Sequence, residues 1–150
     1  MSRIYVASSW RNKKLDIVIG SLRAAGLNCY DFREYDARGA AFNWTDIDPD
    51  WQTWSPEQFR ANLLHPIAKR GFNRDMHELS GCAALLLVLP CNRSAHLELG
   101  YAVGAGKPTA VLLEPGQEPE LMYAAVDKLC VDVTEAAAFL NEATGKAVRS

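Results

Sequence analysis

Short apolar runs alternate along the chain with segments of helical periodicity. The apolar runs predict five strands, at 3–8, 27–32, 84–90, 109–113 and 128–133. Between the first two, Leu15, Val18 and Leu22 recur on one face of a helix predicted over 13–25. Central strands that are apolar throughout indicate a parallel sheet covered on both faces. The pattern therefore predicts a flavodoxin-like or Rossmann-like α/β domain, a three-layer sandwich around a five-stranded parallel sheet.

Proline and glycine mark the predicted ends of the remaining helices. Pro56 suits the start of a helix that runs to residue 70, and Pro66 inside it predicts a kink or break near Leu64. Gly71 is expected to close that segment. Further helices are predicted over 73–80, over 134–141, and from an N-cap at Ser94 to the glycines at 104 and 106.

A segment rich in tryptophan, at about 33–55, interrupts the alternation. Aromatic residues crowd it among acidic ones; they are Phe32, Tyr35, Phe42, Trp44, Trp51 and Trp54, with Asp36, Asp46, Asp48 and Asp50. A connection this long without clear regular structure is often a functional lid, whose aromatic faces would stack on a planar base. It is equally interpretable as a subunit contact or a small satellite core, and the two interpretations are compatible.

Composition narrows the class of protein. The 150 residues suit a single domain spanning 1–150, and a net charge of -2 argues against a general nucleic-acid binder. No apolar run approaches the roughly 20 residues that span a bilayer, and the N-terminus lacks a signal-peptide pattern. Four cysteines have neither zinc spacing nor disulfide-scaffold density, and the acidic residues at 46–50 lack a calcium-loop pattern. We therefore expect a cytoplasmic protein without metal or cofactor.

The stretch from residue 91 to 108 carries the strongest chemical signal. It links two apolar strands through a loop and a helix, which places the first helical turns at the carboxyl edge of the sheet, where such folds bind ligands. Glu98 lies in those opening turns. An ionised carboxylate facing a crevice is what a covalent displacement at a sugar carbon requires. The alternative is a solvated glutamate that only balances the helix dipole.

Residues 4–9, 75–90 and 92–113 together resemble the nucleoside 2-deoxyribosyltransferase superfamily, which includes 2'-deoxynucleoside 5'-phosphate N-hydrolases. The marks are Ala7-Ser8-Ser9 after the first strand, Asp75 four residues before Leu79, and Glu98-Leu99-Gly100-Tyr101-Ala102 followed by Gly106-Lys107-Pro108. The resemblance implies that Glu98 is the nucleophile and that Asp75 contacts the substrate and assists protonation of the leaving base. It also implies that Tyr5 and Ser8 line the site.

The same resemblance implies a homodimer or higher homo-oligomer. Leu121-Met122 resembles a family segment that reaches into the neighbouring subunit's site, which makes Met122 a candidate substrate-binding residue. The expected partner is otherwise a small nucleotide or nucleoside, without nucleic acid or membrane.

Two departures from the family pattern favour a nucleotide over a nucleoside. Asn92 stands where deoxyribosyltransferases often carry aspartate, and Ser94 stands where glycine is common. With Arg11 and Arg93 close by, a neutral Asn92 and a helix start at Ser94 suit a phosphate. The loop Ser8-Ser9-Trp10-Arg11 also resembles the phosphate-side loop of the nucleotide hydrolases, which makes Ser9 a further candidate.

The leaving base needs a proton donor, and the candidates are Asp75, His77 and His96. Each histidine lies two residues from a predicted site carboxylate, so on a helix it points away from that carboxylate, and Asp75 is preferred. The predicted function is cleavage of an N-glycosidic bond, by hydrolysis or base transfer. The alternatives are a NAD-cleaving domain of the Toll/interleukin-receptor-like kind and a non-catalytic nucleotide-binding module. The base, the sugar and the choice between hydrolysis and transfer stay open.

Overall fold

Five short strands form one parallel sheet in the order β2-β1-β3-β4-β5. The computed structural model describes residues 3–34 and 41–145. In it the strands are β1 (Ile4–Ala7), β2 (Cys29–Asp31), β3 (Ala84–Val88), β4 (Thr109–Leu112) and β5 (Lys128–Cys130). Each lies inside a predicted apolar run. The prediction of a five-stranded parallel sheet is confirmed.

Helices cover both faces of this sheet. The helices of the described residues are α1 (Leu15–Ala24), α2 (Pro56–Asn62), α3 (Pro66–Gly81), α4 (Arg93–Gly104) and α5 (Val133–Ala143), with short 3-10 helices at Trp44–Asp46, Trp51–Thr53 and Leu121–Ala125. Those that cover the sheet are α1, α4 and α5. Helices α1 and α5 pack against each other, whereas α4 packs on β1, β3 and β4. Right-handed crossovers that leave the middle of the sheet in opposite directions place their helices on opposite faces. The fold is therefore the predicted three-layer α/β sandwich.

Strand β3 forms the centre of the core. Leu85, Leu86 and Leu87 are each 0% exposed, although successive side chains point to opposite faces of the sheet. Both faces of the strand are therefore covered. Burying a leucine contributes about 1.5–3 kcal/mol relative to leaving it exposed, so this run anchors the layers on each side.

Two predicted helix boundaries were wrong. Asn92, not Ser94, precedes the first turn of α4, and its side chain makes no capping hydrogen bond. Gly71 does not end a helix, because α3 runs through it from Pro66 to Gly81. A Cβ atom at Gly71 would lie 3.0 Å from the Cβ of Phe42, so this glycine makes room for an aromatic side chain. The predicted break near Leu64 is confirmed, since α2 ends at Asn62.

The chain divides into two compact units. One comprises the residues up to Asp31 and from Leu79 onward, and it contains the sheet with α1, α4 and α5; the other comprises Phe32–Glu78. The predicted tryptophan-rich insert lies within the second unit, but Tyr35 and Asp36 lie outside the described residues. That one domain spans 1–150 stays a prediction.

Within the parts of the chain that the structure describes, no helix is long and apolar enough to cross a bilayer. The same residues contain no cluster of three or more His, Cys, Asp or Glu side chains that could hold a metal ion.

Candidate active site

The order of the strands reverses between β1 and β3. From β1 the chain crosses to β2 on one side, and β3 lies on the other side. In open α/β sheets, the loops that leave the two strands at such a point diverge and open a crevice at the carboxyl edge. Here those loops are residues 8–14 after β1 and residues 89–92 before α4. Most of the predicted site residues lie in or beside them.

Tyr5 and Glu98 meet at this point. Tyr5 lies in β1, is 1% exposed, and donates its hydroxyl proton to Oε2 of Glu98 over 2.6 Å. Glu98 lies in the second turn of α4 and is half-buried. The tyrosine ring packs against Tyr30 of the neighbouring strand at a centroid distance of 5.2 Å. This short hydrogen bond from a buried tyrosine holds one oxygen of the Glu98 carboxylate in place. A glutamate that only balances the helix dipole would not need such a bond.

Ser8 and Asn12 fasten the β1–α1 loop to the end of β3. The Ser8 hydroxyl donates to the backbone oxygen of Val88 over 2.8 Å, and the Asn12 side-chain amide donates to the Ser8 hydroxyl over 3.1 Å. Asn12 is 4% exposed, and its Oδ1 accepts from the Lys14 backbone N–H. Ser8 thus lies at the predicted edge of the sheet, and its hydroxyl proton is donated to the backbone of β3. The sequence analysis missed Asn12, although an asparagine three residues before a helix is a recognisable turn signal.

Four predicted phosphate contacts lie on the exposed rims of these two loops. Arg11 is exposed in the first loop, and Asn92, Arg93 and Ser94 are exposed around the start of α4. The fifth, Ser9, is half-buried, and its hydroxyl accepts from the Arg11 backbone N–H over 3.1 Å. Because the two loops follow adjacent parallel strands, all five residues lie at the same edge of the sheet.

His96 links α4 to the 3-10 helix at Leu121–Ala125. Its Nε2 lies 2.7 Å from the Tyr123 hydroxyl, and the two rings stack with centroids 5.8 Å apart. Its Nδ1 lies 3.0 Å from the backbone oxygen of Asn92. A carbonyl only accepts, so in neutral His96 the proton is on Nδ1, and Nε2 accepts from Tyr123. The sequence analysis named His96 as a possible acid but missed Tyr123, which lies 27 residues away.

Cys91 lies beside both groups. Its Sγ is 3.7 Å from His96 Nδ1, and burial raises the pKa of the thiol to about 11, with the negative charge of Glu98 as the second cause. A thiolate is the reactive form of cysteine, so the thiol is unreactive at neutral pH. The influence of Glu98 on this pKa also shows that the thiol lies near the Glu98 carboxylate.

Two further predicted site residues, Asp75 and Met122, belong to other elements of the chain. Asp75 lies in the stretch of α3 that belongs to the second unit, and its approach to Glu98 stays a prediction. Met122 lies on the 3-10 helix next to Tyr123 and is 70% exposed, beside Leu121 at 85%. The Tyr123–His96 bond therefore holds an exposed apolar pair alongside α4.

The aromatic residues of the second unit pack on one another. The ring of Trp44 makes edge-to-face contacts with Phe42, Trp54 and Phe59, at centroid distances of 4.6, 5.7 and 5.8 Å. Trp54 also donates its indole N–H to Asp48 over 2.8 Å. These contacts favour the satellite-core interpretation, and they leave the lid interpretation untested because the two are compatible.

An apolar cleft of about 400 Å³ lies near the carboxyl ends of β3, β4 and β5. Its walls include Ile17 and Val18 of α1 and Val133 of α5, and none of the predicted site residues lines it. The Tyr5–Glu98 pair therefore lies at the β1/β3 reversal, outside this cleft.

Comparisons with known proteins agree with the architecture. No family model matches the sequence, and no curated protein matches it. A solved 2-deoxyribosyltransferase from Bacillus psychrosaccharolyticus is 19% identical and has a TM-score of 0.61, over 91% of this chain and 90% of that one. A conserved protein from Enterococcus faecalis V583 is 12% identical with a TM-score of 0.63, over 95% and 98%. The chain thus has the fold of a 2-deoxyribosyltransferase along nine tenths of its length.

Proposed function

We propose that the protein cleaves the N-glycosidic bond of a nucleotide or nucleoside, with Glu98 as the nucleophile. The observation that carries this proposal is the 2.6 Å bond from buried Tyr5 to the Glu98 carboxylate at the β1/β3 reversal. It is supported by the motif around Glu98 and by the fold shared with a 2-deoxyribosyltransferase. That neighbour is a biocatalyst for the synthesis of nucleosides, and we extend glycosyl transfer to this chain as part of the proposal.

In the proposed reaction, a Glu98 oxygen forms a bond to C1' while the bond from C1' to the base nitrogen breaks. The departing base takes the bonding electrons and gains a proton, for which we propose Asp75 as the donor. Water then attacks C1' while the bond from C1' to the Glu98 oxygen breaks, and the water's proton passes to the Asp75 carboxylate that gave up its proton in the first step. A second base that attacks in place of water completes a transfer. The Tyr5 hydroxyl would hold the carboxylate in its attacking orientation, which is how a positioned group lowers the barrier.

A 5'-phosphate is the preferred feature of the proposed substrate. The first turn of α4 has no side-chain cap, and two exposed arginines, Arg11 and Arg93, lie at the same edge. Uncapped backbone N–H groups at a helix start and arginine side chains are the usual partners of a phosphate. We propose that Ser9, Asn92 and Ser94 contribute to the same contact.

We further propose that the active protein is a homodimer. The exposed pair of Leu121 and Met122, held beside α4 by Tyr123 and His96, supports this proposal. In a dimer, Met122 would contact the substrate bound by the neighbouring subunit.

The test is chromatographic detection of free base from a substrate panel. The panel contains ribo- and deoxyribonucleosides, their 5'-monophosphates and NAD, each with and without a second base. Wild type should release base, and Glu98→Gln should lower the rate by at least about 10³-fold. The matched control is Glu142→Gln, an exposed glutamate of α5, which should keep the wild-type rate.

Each contrary outcome identifies a different function. Release of nicotinamide from NAD alone would indicate the NAD-cleaving alternative. A folded protein that a nucleotide stabilises against heat without any release would indicate a binding module. Equal rates for Glu98→Gln and Glu142→Gln would remove Glu98 from the reaction.

A further inference from the structure

The apolar cleft at the carboxyl ends of β3, β4 and β5 lies on the face of the sheet away from Glu98. Val88 and Leu112 are neighbours at the ends of β3 and β4, and both line the cleft. Tyr5 pairs with Leu85, three residues before Val88, so the side chains of Tyr5 and Val88 point to opposite faces of the sheet. A molecule in the cleft would therefore be separated by the sheet from the Tyr5–Glu98 pair.

The cleft has the size and the lining of a small-molecule site. Its volume of about 400 Å³ lies within the range of pockets that bind small ligands. Ile17 of α1 and Val131, which follows β5, both line it, although their side chains are 72% and 71% exposed. Apolar surface is thus left in contact with water beside the cleft. A ligand with an apolar body would cover this surface, which is favourable.

Three charged side chains also line the cleft, and they are Lys14, Glu114 and Asp132. The Lys14 ammonium donates to both oxygens of the Glu114 carboxylate, over 2.6 and 2.5 Å. The side chain of Lys14 is 59% exposed, whereas that of Glu114 is 20% exposed. The ammonium is therefore the partner that can move into water, while the carboxylate stays at the cleft. Because an exposed ion pair contributes little to stability, exchanging its ammonium for another one costs little.

We propose that the cleft binds a small primary amine with an apolar body, whose ammonium group replaces that of Lys14 on the Glu114 carboxylate. Charge complementarity favours this occupant. The two carboxylates and the one ammonium among the lining residues leave one negative charge, which one organic cation neutralises. An anionic head group would instead meet the carboxylates of Glu114 and Asp132, with only Lys14 to offset them.

The two helices that begin beside the cleft do not reverse this preference. Helix α1 begins at Leu15 and α5 begins at Val133, and the start of a helix carries a partial positive charge of about half an elementary charge. Each start has its own carboxylate. Asp16 lies in the first turn of α1, and Asp132 caps α5 by accepting from the Glu135 backbone N–H over 2.9 Å. These full negative charges more than offset the two helix dipoles.

Isothermal titration calorimetry at pH 7 with four probes of similar body tests the proposal. The probes are 2-phenylethylamine, 2-phenylethanol, 3-phenylpropionate and phenylalanine, which differ in the charge of the head group. The amine should bind with a dissociation constant of about 1 mM or below. Each of the other three should bind at least about tenfold more weakly, because none offers a lone ammonium to the Glu114 carboxylate. Weaker binding of the amine, or equal binding of any other probe, would overturn the proposal.

Variants of the lining residues locate the bound amine. Glu114→Gln should raise its dissociation constant at least about tenfold, whereas the matched control Glu142→Gln should leave it unchanged. Ile17→Lys and Ile17→Glu remove the same apolar contact, so any difference between them measures charge; the lysine variant should bind the amine at least about tenfold more weakly. Because Ile17 is exposed, both variants keep the core, and circular dichroism confirms that they are folded. Equal affinities within either pair would contradict the assignment.

The inference does not rest on the proposed function. Glu98→Gln should bind 2-phenylethylamine as wild type does, because Glu98 is on the other face of the sheet. Loss of binding in Glu98→Gln would place the amine at the Tyr5–Glu98 pair and overturn the inference. A protein that releases no base but binds the amine through Glu114 would contradict only the proposed function.

Discussion

Replacing Tyr5 by phenylalanine removes one oxygen atom from the buried end of β1. The ring keeps its packing, since Tyr5 is 1% exposed and its contact with Tyr30 involves only the ring. What is lost is the hydroxyl donor that lies 2.6 Å from Oε2 of Glu98. The substitution therefore isolates one hydrogen bond, with little change in the apolar area that folding buries.

The expected magnitude follows from the charge on the acceptor. A hydrogen bond to an ionised group contributes about 1.5–3 kcal/mol to stability. Tyr5→Phe should therefore lower the free energy of unfolding by about that amount at pH 7. In a chain of 150 residues, this corresponds to a fall in melting temperature of about 3–12 °C. The assay is urea denaturation followed by circular dichroism.

A double-mutant cycle shows whether the loss is specific to Glu98. Tyr5→Phe and Glu98→Gln should be coupled by at least about 1 kcal/mol, because Glu98→Gln removes the charge of the oxygen that accepts the Tyr5 hydroxyl proton, and a hydrogen bond to a neutral amide is weaker. Tyr123→Phe is the control, since it removes a buried tyrosine hydroxyl that is bonded to His96 instead. Its effect should add to that of Glu98→Gln within about 0.5 kcal/mol. Additivity of Tyr5→Phe with Glu98→Gln would refute the claim that Tyr5 holds the carboxylate.

Two further predictions use the cysteine and the helix glycines. The pKa of about 11 predicts that Cys91 is alkylated by iodoacetamide about tenfold more slowly at pH 8 than an exposed thiol, and Glu98→Gln should speed the reaction by removing the second cause of the raised pKa. Because the folded-state pKa lies above the unfolded one, stability from this thiol should be lost as the pH rises toward 11. Peptide mass spectrometry measures the alkylation rate, and urea titrations at several pH values measure the stability. Faster alkylation of wild type than of Glu98→Gln would contradict the position of Cys91 next to the Glu98 carboxylate. Gly20→Ala should raise the free energy of unfolding by about 0.5–1 kcal/mol, since nothing lies within 4 Å of the new Cβ atom. Gly71→Ala should bring no such gain, because its Cβ atom would press on Phe42. Equal gains for the two variants in melting experiments would contradict the Phe42 contact.

Local pattern was sufficient for the sheet and for most helix positions. Strand β3 was predictable because a short run of apolar residues that is ended by Pro90 is typical of a fully buried strand. The break between α2 and α3 followed from Pro66, whose ring cannot fit inside a continuous helix. The parallel order of the strands followed from their alternation with helices.

Contacts between distant residues were beyond the same reasoning. The role of Gly71 depends on Phe42, and that of His96 depends on Tyr123, so neither can be read from neighbours in the sequence. Ser94 was assigned as the N-cap because its residue type is preferred there, yet the N-cap is Asn92, two residues earlier. The resemblance placed Tyr5 and Glu98 at one edge, but only the structure shows their hydrogen bond.

The most direct test of the central claim is to trap and locate the glycosyl intermediate. A 2'-deoxy-2'-fluoro-arabinonucleoside 5'-monophosphate slows both steps, because fluorine destabilises the positively charged sugar of the transition state. Intact-protein mass spectrometry should show one added sugar phosphate together with release of one equivalent of base, and peptide mapping should place the added mass on Glu98. Release of base without any added mass, or an adduct on another residue, would contradict the account.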